Sequence, residues 1–396
     1  MKKLLFVIDS LHCGGSEKSL ISLLSLLDYS KYSVDLQLFG YGGILEQLVP
    51  PQVNVLKPIE YWNFAALSLP TAIVNCLKVK KFTMLYARIK YSIKIRCCKL
   101  SNLKNQRIHW QCIKNVVKRN DECYDSAIAY AQGMPTFYVA EKVNAKKKVA
   151  WINISWKGES KEKCYLESFY EMYNKIIMVS HSAKVAFIKM FPQFNNKVEV
   201  IYDINNAALI NDMAKMKIEH GDNFQGIKLL TIGRLVEEKG YDIAMEACKR
   251  LKERGLKFKW YVLGTGELKK HMETYIENNN IEDCFILLGV KLNPYPFIRN
   301  CDVYIQTSRT EGYGIAVAEA RILNRPVVAT SFDSIENQIK NGENGIVVDM
   351  TAEAVYEGIM QLLTDNALKE HIIENLQREE KGNVQEIEKF YNLIET

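Results

Sequence analysis

The stretch Ser308–Asn324, SRTEGYGIAVAEARILN, decides the fold of this chain. The residues just before it, DVYIQ at 302–306, predict a strand, and Gly312 and Gly314 then open a run rich in Ala, Val and Ile with helical spacing. A strand that turns through glycines into a helix directs free backbone N–H groups at whatever lies above the strand end. The joint therefore predicts an anion site, most simply for a phosphate.

Two carboxylates lie at this joint, Glu311 just before the helix and Glu319 about two turns inside it. The neighbours of Glu319 are apolar, and such a helix interior seldom hosts an unpaired charge, although a solvent-facing Glu is the simpler interpretation. A hydrolytic pair needs its carboxyl groups roughly 5 to 9.5 Å apart, whereas eight helical residues rise by roughly 12 Å. We therefore expect the two carboxylates to hold different parts of one extended ligand.

Two cations follow an earlier strand in the same half of the chain. The run 228–232 predicts this strand, and the loop GRLVEEKG after it carries Arg234 and Lys239. Cations on a glycine-bounded loop at a strand end can grip adjacent phosphates, Arg through its planar fork and Lys as a point charge. Ordinary surface charge is the alternative for either residue alone.

The first half of the chain also alternates strands with helices. The apolar run after the opening MKK has five residues, which is shorter than a signal-peptide core, so it predicts a buried first strand. Gly14 and Gly15 follow it and open a helix, where α/β folds bind ligands. The spacing is not GxGxxG, which argues against a nicotinamide cofactor. His181 follows a later strand and could either act in the chemistry or cap the next helix.

Length and alternation together predict two α/β domains. The chain has 396 residues and 48% hydrophobic content, enough for two separate cores. Strand and helix patterns alternate in both halves, as in parallel sheets covered by helices. The segment Ile204–Gly226 is polar and has no clear strand, so we place the interdomain linker there.

Positive charge is concentrated in one block. Residues 61–120 contain thirteen Lys or Arg and no Asp or Glu, while the whole chain carries a net +6. Aromatic and aliphatic residues are interleaved with these cations at roughly helical spacing, which favours an anionic membrane surface as the partner of the block 78–119. A solvated helix face, another anion and nucleic acid are the alternatives, and we expect no nucleic acid partner.

Several classes of site are disfavoured. No window of 18 uncharged apolar residues occurs, so we expect no membrane span. Ten cysteines without a CxxC spacing make neither a zinc site nor a regular disulfide framework, and they predict reduced thiols in a cytoplasm. The sequence also lacks Asp-x-Asp, so no metal clamp is expected.

The motifs in both halves resemble those of the retaining glycosyltransferases of family 4, and in particular members that assemble bacterial surface polysaccharides. The matching segments are Gly14-Gly15-Ser16-Glu17, Gly233-Arg234-Leu235 with Lys239-Gly240, Gly264-Thr265-Gly266, and Glu311-Gly312-Tyr313-Gly314 with Glu319-Ala320. The resemblance implies the α/β GT-B fold, in which two Rossmann-like domains face one another across a cleft. It places an acceptor-side domain at 1–204 and a donor-binding domain at 205–382, with a final helix at about 383–396 packing back on the first.

The resemblance also implies roles for the site residues. Arg234 and Lys239 would bind the donor diphosphate, Glu319 the ribose hydroxyls, and Glu311 the hydroxyls of the transferred sugar, so that Glu311, Arg234 and Lys239 form the catalytic set. The remaining expected donor-binding positions are Gly14, Gly15, Gly312, Tyr313 and Gly314. Family members often have His where this chain has Asn153, so Asn153, His181 and Gly264 are further candidates for donor contacts.

The implied reaction is transfer of a sugar from a UDP- or GDP-sugar to a lipid-linked or oligosaccharide acceptor, with retention of configuration and no cofactor. The implied setting is capsule, O-antigen or other surface polysaccharide synthesis, by a cytoplasmic protein peripheral to the inner face of a bacterial membrane. Two alternatives remain open at this point. One is a sugar-nucleotide epimerase of the same fold, and the other is a non-catalytic, membrane-associated partner subunit.

Overall fold

The computed structural model of the chain describes residues 1–12, 14–79, 82–96, 102–153, 160–218 and 224–395. They form two compact α/β units. The first unit is built from Met1–His12, Ser16–Ile201 and the segment that begins at Ile387, and the second from Tyr202–Glu386, with residues 14 and 15 grouped with it. Each unit has its own parallel sheet and its own apolar core, so the predicted α/β class with two Rossmann-like domains is confirmed.

The first unit contains a seven-stranded sheet in the order β3-β2-β1-β4-β5-β6-β7, in which every neighbouring pair is parallel. Its strands are β1 (Lys2–Ile8), β2 (Tyr32–Leu38), β3 (Asn54–Val55), β4 (Cys123–Ala129), β5 (Asn144–Ile152), β6 (Lys175–Met178) and β7 (Val198–Val200). Residues 4–8 of β1 are all buried, because a central parallel strand is covered by helices on both faces.

The second unit contains a six-stranded parallel sheet in the order β10-β9-β8-β11-β12-β13. Its strands are β8 (Ile227–Ile232), β9 (Phe258–Leu263), β10 (Phe285–Gly289), β11 (Val303–Gln306), β12 (Val327–Thr330) and β13 (Ile346–Val348). The strand order reverses between β8 and β11. In open parallel sheets, ligands bind beyond the carboxyl ends of the strands at such a reversal.

Sixteen α-helices occur among the described residues. In the first unit they are α1 (Gly15–Leu26), α2 (Glu60–Ala66), α3 (Leu69–Val79), α4 (Phe82–Arg96), α5 (Asn102–Ile113), α6 (Met134–Lys142), α7 (Ser160–Tyr170) and α8 (His181–Met190). The second half adds α9 (Ala207–Ala214), α10 (Tyr241–Glu253), α11 (Lys269–Asn278), α12 (Tyr295–Asn300), α13 (Ile315–Ile322), α14 (Ala352–Thr364), α15 (Asn366–Arg378) and α16 (Glu386–Glu395). Within the described ranges, no helix has the length and apolar character needed to cross a bilayer.

The segment predicted as an interdomain linker, 204–226, contains helix α9. The side chain of Asn206 caps this helix by accepting a hydrogen bond from the Leu209 amide, at 3.2 Å. Ile210 and Ala214 are buried in the core of the second unit. The helix therefore belongs to the second unit, while its polar residues Asn211 and Asp212 are not buried.

Helix α16 packs on the first unit. The ring of Phe390 stacks on that of Phe6 with 5.8 Å between centroids, and Tyr391 stacks on Tyr32 at 5.6 Å. The Tyr32 hydroxyl also donates a hydrogen bond to the Glu395 carboxylate at 2.6 Å. The first unit is therefore completed by residues that follow the second unit in the chain.

Candidate functional site

The candidate site is built from the loops that follow β8 and β11. These neighbouring strands flank the point where the order of the second sheet reverses. The loop after β8 carries Arg234 and Lys239, and the loop after β11 carries Glu311. The fold thus brings together two segments that are about seventy residues apart in the chain.

Glu311 is held by three hydrogen-bond donors on one carboxylate oxygen. Its Oε1 accepts from Lys239 Nζ at 2.5 Å, from Gln306 Nε2 at 2.9 Å and from Ser308 Oγ at 2.7 Å. The other oxygen, Oε2, receives no hydrogen bond from the described residues. A carboxylate has about four acceptor positions, so Oε2 keeps its capacity to accept from a ligand hydroxyl.

Gln306 is the centre of this arrangement, although the sequence analysis did not single it out. It is buried at the carboxyl end of β11, where its Oε1 accepts from the Tyr304 hydroxyl at 2.7 Å and its Nε2 also contacts Ser308 Oγ at 2.7 Å. Burial raises the pKa of Tyr304 well above its usual value, and the nearby carboxylates add to this, so its hydroxyl stays a proton donor. The sequence feature that could have identified Gln306 is its position as a single amide side chain at the end of an apolar strand.

Lys239 and Arg234 have different surroundings. Lys239 ends a short 3-10 turn, Glu237–Lys239, and its side chain is 18% exposed beside that of Glu311, which is 12% exposed. The Arg234 side chain is exposed and has no hydrogen bond or ion pair with any described residue. The structure therefore pairs the predicted lysine with the predicted sugar-binding carboxylate and leaves the arginine available to an anion.

Two glycines let the loops approach one another closely. At Gly240 the backbone has φ of +62°, and a Cβ would lie 2.1 Å from the carbonyl oxygen of Thr307. At Gly264 a Cβ would lie 1.9 Å from the carbonyl oxygen of Gly233. Any side chain at either position would force the loops apart. Position 264 was predicted to contact the donor, but close packing alone explains why it must be glycine.

The start of α13 has the character expected of an anion site. Gly314 precedes the helix with φ of +88°, and no side chain of the described residues caps the first turn. The side chain of Gln338 holds the turn before the helix, because its Nε2 donates to the carbonyl oxygens of Tyr313 and, at 3.2 Å, of Gly314. The first backbone N–H groups of α13 are the donors that such a site would use. Gly312, in the same turn, is buried.

Glu319 does not face the solvent, so the simpler interpretation of this residue is wrong. Its side chain lies in the second turn of α13 and the residue is 1% exposed. Oε1 accepts a hydrogen bond from the Tyr295 hydroxyl at 3.0 Å. A buried carboxylate needs such partners to offset the cost of leaving water. Tyr295 lies at the start of α12, and the sequence analysis assigned it no role at the site.

The other candidates lie in the first half of the chain. Helix α1 begins at Gly15, directly after Gly14, as the glycine turn predicts. Asn153 donates from Nδ2 to the Tyr130 carbonyl at 3.0 Å, and its buried Oδ1 has no hydrogen-bond partner among the described residues. His181 is exposed at the start of α8 and is not the cap, because Ser180 accepts from the Ala183 amide at 3.1 Å. The capping interpretation of His181 is therefore wrong.

The basic block divides into cations that bind within the first unit and cations that face solvent. Those bound internally are Arg88 to the Leu67 carbonyl (2.8 Å), Arg107 to Glu162 (3.1 Å), Lys114 to Glu141 (3.5 Å) and Lys118 to Glu60 (3.5 Å). Lys94 and Arg96 on α4 are exposed. Lys80, Lys81 and the side chain of Lys78 lie outside the described residues. In the part of the chain that the structure describes, no cluster of His, Cys, Asp or Glu could hold a metal ion.

Sequence comparisons relate the second half of the chain to glycosyltransferases. Residues 212–379 match the family "Glycosyl transferases group 1". The amylovoran biosynthesis glycosyltransferase AmsK of Erwinia amylovora is 31% identical over 129 residues, which cover 31% of this chain and 32% of that protein. A Campylobacter jejuni N-acetylgalactosamine-N,N'-diacetylbacillosaminyl-diphospho-undecaprenol 4-alpha-N-acetylgalactosaminyltransferase is 28% identical over 175 residues, 44% of this chain and 46% of that protein. The chain thus spans less than half the length of both relatives.

A solved structure extends the likeness to the whole fold. Anabaena Alr3699/HepE, crystallised in complex with UDP and glucose, superimposes with a TM-score of 0.69 and 17% identity over 99% of both chains. At that level of identity the likeness establishes the fold alone. The fold of this chain is that of solved glycosyltransferases with two Rossmann-like domains, as the motifs imply.

Proposed function

We propose that this chain is a glycosyltransferase that moves a sugar from a nucleotide-sugar donor to an acceptor hydroxyl. The observation that carries the proposal is the contact of Lys239 with Glu311 beyond the ends of β8 and β11, inside the segment that matches the glycosyltransferase family. A cation for the diphosphate and a carboxylate for the sugar are there held side by side. A ligand that spans both charges has the chemistry of a sugar attached to a diphosphate.

The charge that develops on the leaving diphosphate is the main demand of this reaction. Lys239 has three N–H donors, of which Glu311 uses one, so two remain for phosphate oxygens. Arg234 is unpaired within the described residues and can add its planar fork. The uncapped start of α13 adds backbone donors. Fixed positive groups of this kind stabilise a developing anion more than water does.

The remaining groups fit the rest of such a donor. Glu311 would accept a sugar hydroxyl on Oε2, and Glu319, oriented by Tyr295, would accept the ribose hydroxyls. Asn153, His181, Gly14, Gly15 and Tyr313 stay candidates for further donor contacts. We propose a UDP- or GDP-sugar as donor, with no cofactor. The Anabaena structure contains UDP and glucose, which supports a UDP-sugar as the donor.

We propose that the chain is a glycosyltransferase of family 4 and that transfer retains the configuration at the anomeric carbon. The bond between the anomeric carbon and the β-phosphate oxygen would break, and the acceptor oxygen would form its bond on the same face. The acceptor proton would pass to the departing phosphate oxygen. This route needs no separate protein nucleophile, because the acceptor oxygen itself attacks the anomeric carbon.

The acceptor in this proposal is lipid-linked or an oligosaccharide, in capsule, O-antigen or a related surface polysaccharide. The names of the Erwinia and Campylobacter relatives support that class, since one is assigned to amylovoran and the other to a diphospho-undecaprenol acceptor. The protein would then be cytoplasmic and peripheral on the inner face of a bacterial membrane. Cations of the block 78–119 would attract it to anionic lipids.

Donor binding and transfer test the proposal. We expect UDP- or GDP-sugars to raise the unfolding temperature, because a ligand that binds only the folded state stabilises it. Glu319→Gln and Tyr295→Phe should weaken nucleotide binding, with the larger loss for Glu319→Gln. If the wild-type chain is stabilised by no nucleotide sugar, the proposal is wrong. Isomerisation of the donor sugar without any acceptor would instead indicate an epimerase.

A further inference from the structure

Helix α4 (Phe82–Arg96) has two apolar faces, and among the described residues one of them is buried and the other is exposed. Met84 and Ala87 are buried in the core of the first unit. The opposite face carries an apolar stripe that consists of Phe82 (55% exposed), Tyr86 (67%), Ile89 (43%) and Ile93 (59%). Their spacing of four, three and four residues places all four on one side of a helix.

This stripe is unusual for a protein surface in water. Single exposed apolar side chains are common, but a continuous row of large ones marks an interaction site. The adjoining helix α3 (Leu69–Val79) adds three exposed apolar residues, Leu69, Ile73 and Val74. Solvent-facing apolar groups are therefore concentrated on this pair of helices.

The charges on α4 itself have one sign. Lys90 lies beside it, with its ammonium 5.8 Å from the ring centroid of Tyr86, and Lys94 and Arg96 are exposed on the same helix. No Asp or Glu occurs between residues 61 and 120. A second copy of this chain would oppose these cations with its own, since a symmetric dimer places the same patch against itself. Nucleic acid would satisfy the cations but leave the apolar stripe in contact with water.

We propose that the apolar stripe Phe82, Tyr86, Ile89 and Ile93 inserts into the interface of an anionic bilayer, with α4 lying parallel to the membrane plane. The flanking cations would meet the lipid phosphates while the apolar side chains reach the acyl boundary, as in interfacial amphipathic helices. This inference rests on the proposed function in so far as a lipid-linked acceptor requires the membrane. It goes further in assigning the anchoring to apolar insertion, which salt does not screen.

Vesicle sedimentation separates insertion from simple charge attraction. The probe is vesicles of equal parts phosphatidylglycerol and phosphatidylcholine, at low salt and at about 0.5 M salt, where charge attraction between exposed groups is largely screened. We expect the wild-type chain to keep part of its binding at high salt. The double variant Tyr86→Ser/Ile93→Ser should lose that part by roughly tenfold or more. Lys90→Gln/Lys94→Gln should weaken binding chiefly at low salt.

A control and a depth measurement complete the experiment. Val185 on α8 is 68% exposed, and Val185→Ser removes a comparable apolar group from a different helix, so it should change nothing. All variants should show unchanged circular dichroism and unfolding temperature, because the replaced side chains face solvent. A Tyr86→Trp variant should be quenched by brominated acyl chains. Absence of quenching, or equal binding by wild type and Tyr86→Ser/Ile93→Ser at high salt, would overturn the proposal.

Two other outcomes would also decide the matter. A concentration-dependent dimer that the Tyr86→Ser/Ile93→Ser variant abolishes would reassign the stripe to a second copy of the chain. Transfer to a soluble acceptor reports on the proposed function separately, since α4 contains none of the site residues. A chain that inserts into vesicles but uses no nucleotide sugar would refute the proposed function and leave the docking surface established.

Discussion

The ammonium group of Lys239 and the carboxylate of Glu311 form an ion pair, 2.5 Å from Nζ to Oε1, across 72 residues of sequence. Both side chains are largely shielded from water. Removing one partner of a shielded pair leaves the other without compensation, so such a pair is more sensitive to mutation than a surface salt bridge. The pair also fixes the distance between the two groups that we assign to the diphosphate and to the sugar.

Replacement of Lys239 should therefore lower activity far more than replacement of a cation in an ordinary surface pair. We expect Lys239→Ala to lower kcat of sugar transfer by roughly 10²- to 10³-fold, as loss of one stabilising donor does in other sites. Arg309 offers a matched control, because it pairs with Asp242 through two hydrogen bonds of 2.8 and 2.6 Å but its side chain is 37% exposed. Arg309→Ala should stay within a few-fold of wild type, and equal losses in both variants would contradict the assignment.

Replacement of Gln306 should weaken the interaction of Glu311 with the sugar and leave nucleotide binding unchanged. Gln306→Leu removes one donor from Glu311, and a hydrogen bond to a charged group contributes roughly 1.5 to 3 kcal/mol. We expect kcat to fall by about tenfold or more, while the Kd of the nucleoside diphosphate without sugar stays unchanged. The measurement is calorimetric binding of the nucleotide with and without its sugar, together with initial rates.

A control for Gln306 is available in the neighbouring strand. Thr231 on β8 is also buried, and its hydroxyl donates to the Ile305 carbonyl at 2.9 Å. Thr231→Val should lower stability without a selective effect on the sugar. If Gln306→Leu and Thr231→Val change binding of the sugar and of the nucleotide alike, Gln306 serves only the packing of the sheet.

The close approach at Gly240 predicts a large effect on stability. Gly240→Ala would bring a methyl group against the Thr307 carbonyl oxygen in addition to the strain of a positive φ. Gly255 has φ of +79° with open space around it, so Gly255→Ala adds the strain alone, about 1 kcal/mol. We expect Gly240→Ala to lower the free energy of unfolding by at least twice that amount, measured by urea titration. Similar losses in both variants would show that the loop can yield.

His109 predicts a specific loss of stability in acid. Its ring stacks on Tyr91 with 4.2 Å between centroids, and burial lowers its pKa from 6.5 to about 4. The unfolded chain therefore binds the proton more readily, so this contribution is complete above pH 6.5 and is lost as the pH falls towards 4. At pH 5 the loss is on the order of 2 kcal/mol.

The matching variant is His109→Phe, which keeps an aromatic ring against Tyr91 and removes the titration. Urea unfolding at pH 7.5 and at pH 5 should show a smaller difference between the two pH values in this variant than in the wild type. An identical difference would mean that His109 takes up its proton in the folded state as easily as in the unfolded chain.

Much of the fold could be predicted from the sequence, because parallel strands buried on both faces are short continuous apolar runs. Strands β1 and β11, for example, lie within two residues of the expected runs. Helix α9 was missed because eight residues give too little periodicity to distinguish from a linker, and polar residues flank them in the sequence. The residues of α2 to α5 showed helical spacing, but nothing in the sequence indicated which of their cations pair internally.

The site was predictable as a set of residues but not as a geometry. Glycine turns and charges at strand ends selected Arg234, Lys239 and Glu311, and a charge within an apolar helical run selected Glu319. The contact of Lys239 with Glu311 depends on β8 lying next to β11, and strand order is set by packing of the whole sheet. The orienting residues Gln306 and Tyr295 act through single hydrogen bonds across the fold, which leave no spacing pattern in the chain.

The packing of α16 on the first unit has a consequence for how the protein is made. During synthesis on the ribosome, Tyr202–Glu386 emerges before the residues that supply Phe390 and Tyr391 to the first unit. The first unit is therefore completed only after the second unit has been synthesised. Until then, its apolar surface around Phe6 is exposed. Nascent chains at that stage should depend on chaperones more than the released protein does.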